Sequence, residues 1–289
     1  LIWSKKRNAS YSHRIVDSVR GATKEVYADS TAAETTDATG LTSFNSDGYT
    51  VGASNSFNQS GDSYVDHIWK AGGSAVSNSV GSITSSVSAN TVCGVSIVTF
   101  TGTGTNATIG HGLGAAPKLI LQKRRDTTRQ WPVYHASLGR SKYIEMNLTG
   151  AAGSITDYWG TSDPTTTVFG VNGGYDTGSA GDYVALCFAE VDGFSKIGSY
   201  IGNSSTDGPF VWCGFRPRYI LVKNATTGGG GYDWFVWDSV RDAYNPAILD
   251  INPNLAQAEN SNSGDSIDFL SNGFKIRSSG AATNTSGDT

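Results

Sequence analysis

Charge is scarce in this chain. Asp, Glu, Lys and Arg make up 16% of its 289 residues, and 21 Lys+Arg against 25 Asp+Glu leave a formal net charge of -4. A protein that grips nucleic acid by its backbone concentrates basic charge on one face. The one basic cluster, Lys123, Arg124 and Arg125, is followed by Asp126 and reads as a solvated strand end. Nucleic acid is therefore not an expected partner. Cysteine is rarer still. Cys93, Cys187 and Cys213 cannot all pair, and their spacing matches neither a metal knuckle nor a redox CxxC motif. Cys187 and Cys213 sit in apolar runs and read as small buried hydrophobes, so folding need not depend on an oxidising compartment. Runs long enough to span a bilayer are missing, as is a charged leader followed by an apolar core, and membrane insertion is not expected. Long Ala/Leu/Glu/Lys stretches are absent too, which argues against helices.

Glycine is abundant, with 36 residues, alongside 7 Trp, 13 Tyr and 11 Phe. Turn formers mixed with bulky strand residues predict an all-β chain. Internal repetition makes this sharper. Lys118-Leu119-Ile120-Leu121-Gln122-Lys123 recurs as Tyr219-Ile220-Leu221-Val222-Lys223-Asn224 and, without its lead-in, as Leu1-Ile2-Trp3-Ser4-Lys5-Lys6. The next strand reads Arg14-Ile15-Val16-Asp17-Ser18-Val19-Arg20 in the first copy and Phe235-Val236-Trp237-Asp238-Ser239-Val240-Arg241 in the third. The middle copy, Pro132 to Gly139, keeps the outline but puts His135 where the others have Asp. Separations of 118 residues from Asp17 to His135 and 103 from His135 to Asp238 are those of a domain, not of a short solenoid unit.

Hairpins are expected at Asp47-Gly48 and Asn272-Gly273, whose residue types suit a type I′ turn. Gly61-Asp62-Ser63-Tyr64-Val65 and Gly181-Asp182-Tyr183-Val184 open a matching closing strand, and Ser195 to Gly202 resembles Val95 to Gly102. The pattern predicts tandem antiparallel β-sandwich modules of about 100 residues. These are module 1 over 1–71, a Ser/Gly-rich linker over 72–92, module 2 over 93–192 and module 3 over 193–289. The chain opens in a strand without an initiator Met and stops within the pattern, so both ends are expected to be limits of a fragment, with module 1 short of its opening strands and module 3 of its last.

Several motifs resemble repeated domains in structural proteins of tailed bacteriophages, above all tail-fibre or appendage proteins of marine, cyanophage-like phages. They are Trp69-Lys70-Ala71-Gly72-Gly73, Gly81 to Asn90, the run Gly110-His111-Gly112-Leu113-Gly114-Ala115-Ala116-Pro117-Lys118, Asp207-Gly208-Pro209-Phe210-Val211, and the Asp-Ser-Val-Arg and Ser-Asn-Gly-Phe elements. The resemblance covers nearly the whole chain. It implies a virion-surface protein engaged in host attachment, assembled as a homo-oligomer, often a trimer, with other virion proteins and a host glycan or receptor as partners. It transfers no catalytic motif.

The residues themselves give little sign of chemistry. His13, His67, His111 and His135 are dispersed, without metal-ligand spacing, and no cofactor is expected. Gly102-Thr103-Gly104 is followed by another strand, not by the helix a phosphate loop requires. A glycan depolymerase would need two carboxylates facing each other across roughly 5 to 9.5 Å. Asp157, Asp163, Asp176 and Glu190 are available, mostly in turns where Asp serves the backbone. The expectation is a non-enzyme. Tyr158, Trp159, Tyr175 and Asp176, in two loops where the modules differ, are the candidate glycan contacts, with inward-folded aromatics as the alternative. The repeated pairs Asp17/Arg20 and Asp238/Arg241 read as structural turns in which Arg bonds the carboxylate or nearby carbonyls.

Overall fold

A computed structural model describes residues 1–261 and 264–289, with every side chain among them except that of Tyr175. The chain is almost entirely β. The first repeat contains β1 (Ile2–Lys6), β2 (Arg14–Val16), β3 (Lys24–Tyr27), β4 (Thr35–Thr36), β5 (Leu41–Phe44), β6 (Tyr49–Val51) and β7 (Tyr64–Ile68). Next come β8 (Val76–Asn78), β9 (Ser85–Asn90), β10 (Val95–Gly102), β11 (Ala107–Gly110), β12 (Leu119–Arg124), β13 (Pro132–His135), β14 (Lys142–Glu145), β15 (Gly153–Ser154), β16 (Val168–Val171) and, after the single turn α1 (Tyr175–Gly178), β17 (Gly181–Phe188). The third repeat has β18 (Phe210–Trp212), β19 (Tyr219–Val222), β20 (Phe235–Asp238), β21 (Ile267–Leu270), β22 (Gly273–Ile276) and the short α2 (Ala281–Asn284).

Sequence repetition becomes topological repetition. The first sheet runs β4-β3-β2-β1-β7, and the eight-stranded sheet contains the same series as β15-β14-β13-β12-β17 before continuing to β10-β9-β8. In the third repeat β19 pairs with β20, and bridges from Val236 to Ile251 and from Asp250 to Asn260 extend the series outward. β17 is apolar on both faces because it lies in the middle of a sheet covered on both sides, so its Tyr183-Val184-Ala185-Leu186-Cys187 run is continuous instead of alternating.

Two expectations need correction. The stretch 72–92 is not a free linker, since it supplies β8 and β9, which pair with each other and, through β9, with β10. Gly72 passes so close to the Ala89 backbone that a Cβ would lie 1.9 Å from its carbonyl oxygen. The Gly count there reflects close strand packing as well as turning. Hairpins do form at 41–51 and 267–276, but neither Gly48 nor Gly273 takes a positive φ, so they are not the type I′ turns their dipeptides suggested. Gly273 answers to a different demand: β18 pairs alongside β22, and a Cβ there would meet the Val211 carbonyl oxygen at 2.1 Å.

The repeats are not separate sandwiches on a string. Each has an outer core of its own, but one apolar cluster gathers Trp3, Ile15 and Val26, then Leu121, Trp131 and Ile144, then Trp234, from all three. Trp131 is fully buried there, and its Nε1–H donates to the Tyr27 carbonyl at 2.8 Å, across the boundary between the first two repeats. Replacing Trp131 with Phe keeps an aromatic ring but removes the indole donor, leaving the Tyr27 carbonyl with only the longer bond from Ser30 N–H at 3.3 Å. We expect a loss of about 0.5–1.5 kcal/mol in chemical denaturation, and unchanged stability would contradict the assigned role of the bond.

Candidate functional site

The contact that Trp131 makes recurs around the molecule. Aligning the repeats through β1, β12 and β19 puts Trp131, Trp234 and His13 at one position. It puts Tyr27, Glu145 and Asn252 at another. Trp234 Nε1–H donates to the Glu145 carbonyl at 3.0 Å, as Trp131 does to Tyr27. His13 faces the Asn252 backbone, with its Nδ1 accepting from Trp3 Nε1–H at 3.0 Å and its Nε2 without a hydrogen bond of standard geometry. Burial holds the His13 ring well below the ordinary histidine range, so it stays neutral. The second repeat thus bonds to the first, the third to the second, and the first packs against the third.

Lysines repeat the same cycle. Lys123 Nζ donates to the Thr31 carbonyl at 2.8 Å, Lys223 to Thr149 at 3.4 Å and Lys5 to Ala256 at 3.3 Å. Backbone bonds do so as well: Glu34 N–H to Arg125 O at 2.8 Å, Ala152 N–H to Ala225 O at 2.9 Å and Glu259 N–H to Arg7 O at 2.7 Å. The three repeats therefore close into a ring about a pseudo-threefold axis. Lys123 is completely buried, not a solvated strand end, because the neighbouring repeat covers it. Burial pushes all three amines down to about 8, against weaker opposing pulls from Asp29, Asp176 and Asp233.

The repeated Asp/Arg pairs belong to this ring. Arg20 Nε donates to Asp17 at 2.5 Å and its Nη2 to the Ile15 carbonyl at 2.9 Å, while Nη1 reaches Glu34 at 3.1 Å. Glu34 in turn takes a two-pronged contact from Arg125 of the second repeat at 2.8 and 2.9 Å. Arg241, Asp238, Glu259 and Arg7 build the same network between the third and first repeats. Burial alone would raise the Asp238 carboxyl, but the His67 hydrogen bond and the Arg241 guanidinium outweigh it and hold the group well below the usual carboxylate range. At the remaining boundary the four positions are His135, Leu138, Ala152 and Ala225, and the last three pack against the shared core. Both arginines and the glutamate are exchanged for apolar groups together, with His135 in place of the aspartate, which avoids stranding a buried ion. The reach from Arg20 to Glu34 and Arg125 was not anticipated from sequence, though Glu34 and Glu259 recur after the Asp/Arg motif in the two repeats that carry it.

The glycan-contact candidates are not a surface. Trp159 is fully buried and Tyr158 nearly so, correcting the exposed-loop expectation. Asp157 at φ 56° and Gly160 at φ 83° turn the loop so that both rings fold inward. Tyr158 stacks on Tyr143 at 4.3 Å, and Trp159 Nε1–H donates to the Lys142 carbonyl at 3.2 Å. Asp176 is half-buried and lies 3.5 Å from the Arg129 guanidinium. The Tyr175 side chain lies outside the described residues. Cys187 is buried, and burial raises its thiol, whereas Cys213 is only partly covered. Among the described residues no His, Cys, Asp and Glu side chains cluster in an arrangement that could hold a metal ion.

A concavity of about 820 Å³ forms an apolar groove where the three repeats meet. Leu1 and Trp69 of the first repeat, Phe188 of the second and Tyr219 and Leu221 of the third line it, together with residues 193–200. Trp69 packs edge-on against Phe188 at 6.0 Å and against Tyr219 at 5.5 Å. Ile68 at 59% and Trp212 at 60% exposure stand at its margin.

Residues 1–289 match the model of a family described as a domain of unknown function, DUF7483, and the chain belongs to that family. No curated protein and no solved structure matches it.

Two measurements test the ring. Glu34→Ala leaves Arg20 and Arg125 without their shared partner and should cost about 3–5 kcal/mol. Adding Asp17→His, Arg20→Leu and Arg125→Ala, the pattern of the boundary between the second and third repeats, should recover most of that loss, and a quadruple variant weaker than the single one would contradict the account. For Lys123, the folded amine titrates at about 8 against an unfolded value of 10.5. The folded state binds fewer protons between those values, so its stability rises with pH across that window. Subtracting the unfolding free energy of Lys123→Met from that of the unaltered chain should give a difference that grows by roughly 3 kcal/mol from pH 8 to 10.5. A flat difference would mean that the amine is not held in this environment.

Proposed function

We propose that this chain is a structural subunit of a bacteriophage tail fibre or other virion appendage, a rigid building block and not an enzyme. The observation that carries this reading is the closed ring of equivalent contacts. The resemblance implies a homo-oligomer, often a trimer, and a chain whose own three repeats surround an axis offers a threefold arrangement from one polypeptide. A Lys donor at each boundary, joined by a Trp donor at two of them, opposes bending between repeats, as a shaft or collar element requires. The motif resemblance to tail-fibre and appendage proteins supports the same reading.

Host attachment is the second reading. It loses support from the burial of Tyr158 and Trp159, and keeps some from Tyr244, 84% exposed on a loop of the third repeat, where an aromatic ring can stack on a sugar. Immunogold labelling of purified phage particles encoding the chain should decorate tail or capsid appendages, and unlabelled particles that lack the protein by mass spectrometry would overturn the proposal. An array of host surface polysaccharides separates the two readings: specific binding favours attachment, and silence favours a purely structural role.

A further inference from the structure

One carboxyl group of the third repeat lacks the partner that its counterpart keeps. Two residues before the shared position of Tyr27, Glu145 and Asn252 stand Glu25, Tyr143 and Asp250. In the first repeat Arg14 Nη1 donates to Glu25 and the two form an ion pair. At the place of Arg14 the second repeat has Pro132, alongside the uncharged Tyr143, and the third has Phe235, alongside Asp250. In the third repeat only the cation is exchanged, so a buried acid remains.

Asp250 is fully buried. Its backbone pairs with Asn260 in both directions, at 3.0 and 2.9 Å, which fixes where the side chain stands. Oδ2 receives only the Asn260 amide, at 3.4 Å, and Oδ1 has no donor among the described residues. Because Val236 pairs with Ile251, Asp250 stands opposite Trp237 of β20 on the same face of the sheet. Trp237 is fully buried too, its Nε1–H has no acceptor among the described residues, and it packs in the outer core of the third repeat with Ile267 and Phe269 of β21 and Phe274 and Ile276 of β22. The charged groups facing Asp250 are Asp265, Arg241, Glu259 and Asp233. Three of them are acids, and Arg241 is already bound to Asp238 and Glu259. Burial, reinforced by Asp265, pushes the Asp250 carboxyl up to about 8.

We infer that Asp250 is a proton-sensitive latch of the third repeat: while it carries its proton, β21 and β22 close over Trp237, and its ionisation favours their opening to water. A neutral carboxyl is tolerated in that interior, whereas a carboxylate with one weak donor and three acidic neighbours is costly. The sign follows from the folded value lying above the ordinary 3.8, since the closed layer then keeps a proton that the opened layer releases. Closure is tightest below pH 3.8, weakens by up to about tenfold per pH unit from there to about 8, and changes little above that. Trp3 of β1, Leu121 of β12 and Leu221 of β19 pack in the shared core, a cluster separate from that of Trp237, so the ring does not take part.

Amide hydrogen exchange of the full chain tests the latch between about pH 5 and about pH 7, with rates corrected for the intrinsic effect of pH. Opening of 267–276 should rise at least about tenfold over that range, while opening of 119–124 changes by less than about threefold. Asp250→Asn, uncharged and of the same shape, should give 267–276 a constant protection across the range. Should that variant fold poorly, the unaltered chain still decides, because one aspartate side-chain carboxyl must titrate near 8 by carbon-13 NMR. Opening that does not vary with pH, the same pH dependence in the folded variant, loosening shared equally by 119–124, or every aspartate titrating below about pH 5 would each overturn the inference.

Discussion

Closure of the ring rests on one recurrent device: a long side chain of one repeat donates into a backbone carbonyl of the repeat before it, the third repeat standing before the first. Trp131 and Trp234 do this with indole N–H groups, and Lys123, Lys223 and Lys5 with amines. Backbone carbonyls in an apolar interior are costly to leave unpaired, so each boundary is specified by polar pairing as well as by area. Once two boundaries are made this way, the third repeat is brought back against the first. There His13 takes the tryptophan position, and the network of Arg7, Glu259 and Arg241 supplies the polar pairing.

That arrangement explains where variation is tolerated. The Arg–Asp–Glu–Arg network occupies two boundaries, and Leu138, Ala152 and Ala225 occupy the third. A buried ion pair and a well-packed apolar contact can serve the same place, whereas a half-replaced network cannot. The groove follows from the same geometry. The first and second repeats place β7 and β17 beside β1 and β12, and the groove lies beside β19, next to the shared core.

Much of the fold was legible in the sequence and much of the site was not. Strand composition and the recurrence of Leu-Ile-Trp, Leu-Ile-Leu and Tyr-Ile-Leu runs disclosed an all-β chain with three related segments. The closure stayed hidden because its acceptors are carbonyls, which any residue supplies, and because its donors differ in type between repeats. Lys123 read as a solvated strand end since charge normally seeks water. The recurrence of a lysine at the same place in all three strands was the available signal that the position is special. Trp159 and Tyr158 read as loop aromatics because nothing local reveals that Asp157 adopts a positive φ and turns them inward. The Gly/Ser stretch from 72 to 92 read as a linker because small residues serve turns and tightly packed strands alike.

The central claim is that the three repeats form one cooperative body, and it is tested most directly by following guanidinium unfolding separately in each of them. Pulsed amide exchange read by mass spectrometry on peptides containing β1, β12 and β19 gives the three transitions in one experiment. The account predicts a single midpoint shared by all three, because no repeat can leave the ring without exposing the others' buried donors and carbonyls. Well-separated midpoints, with one repeat unfolding while the other two keep their protection, would contradict it.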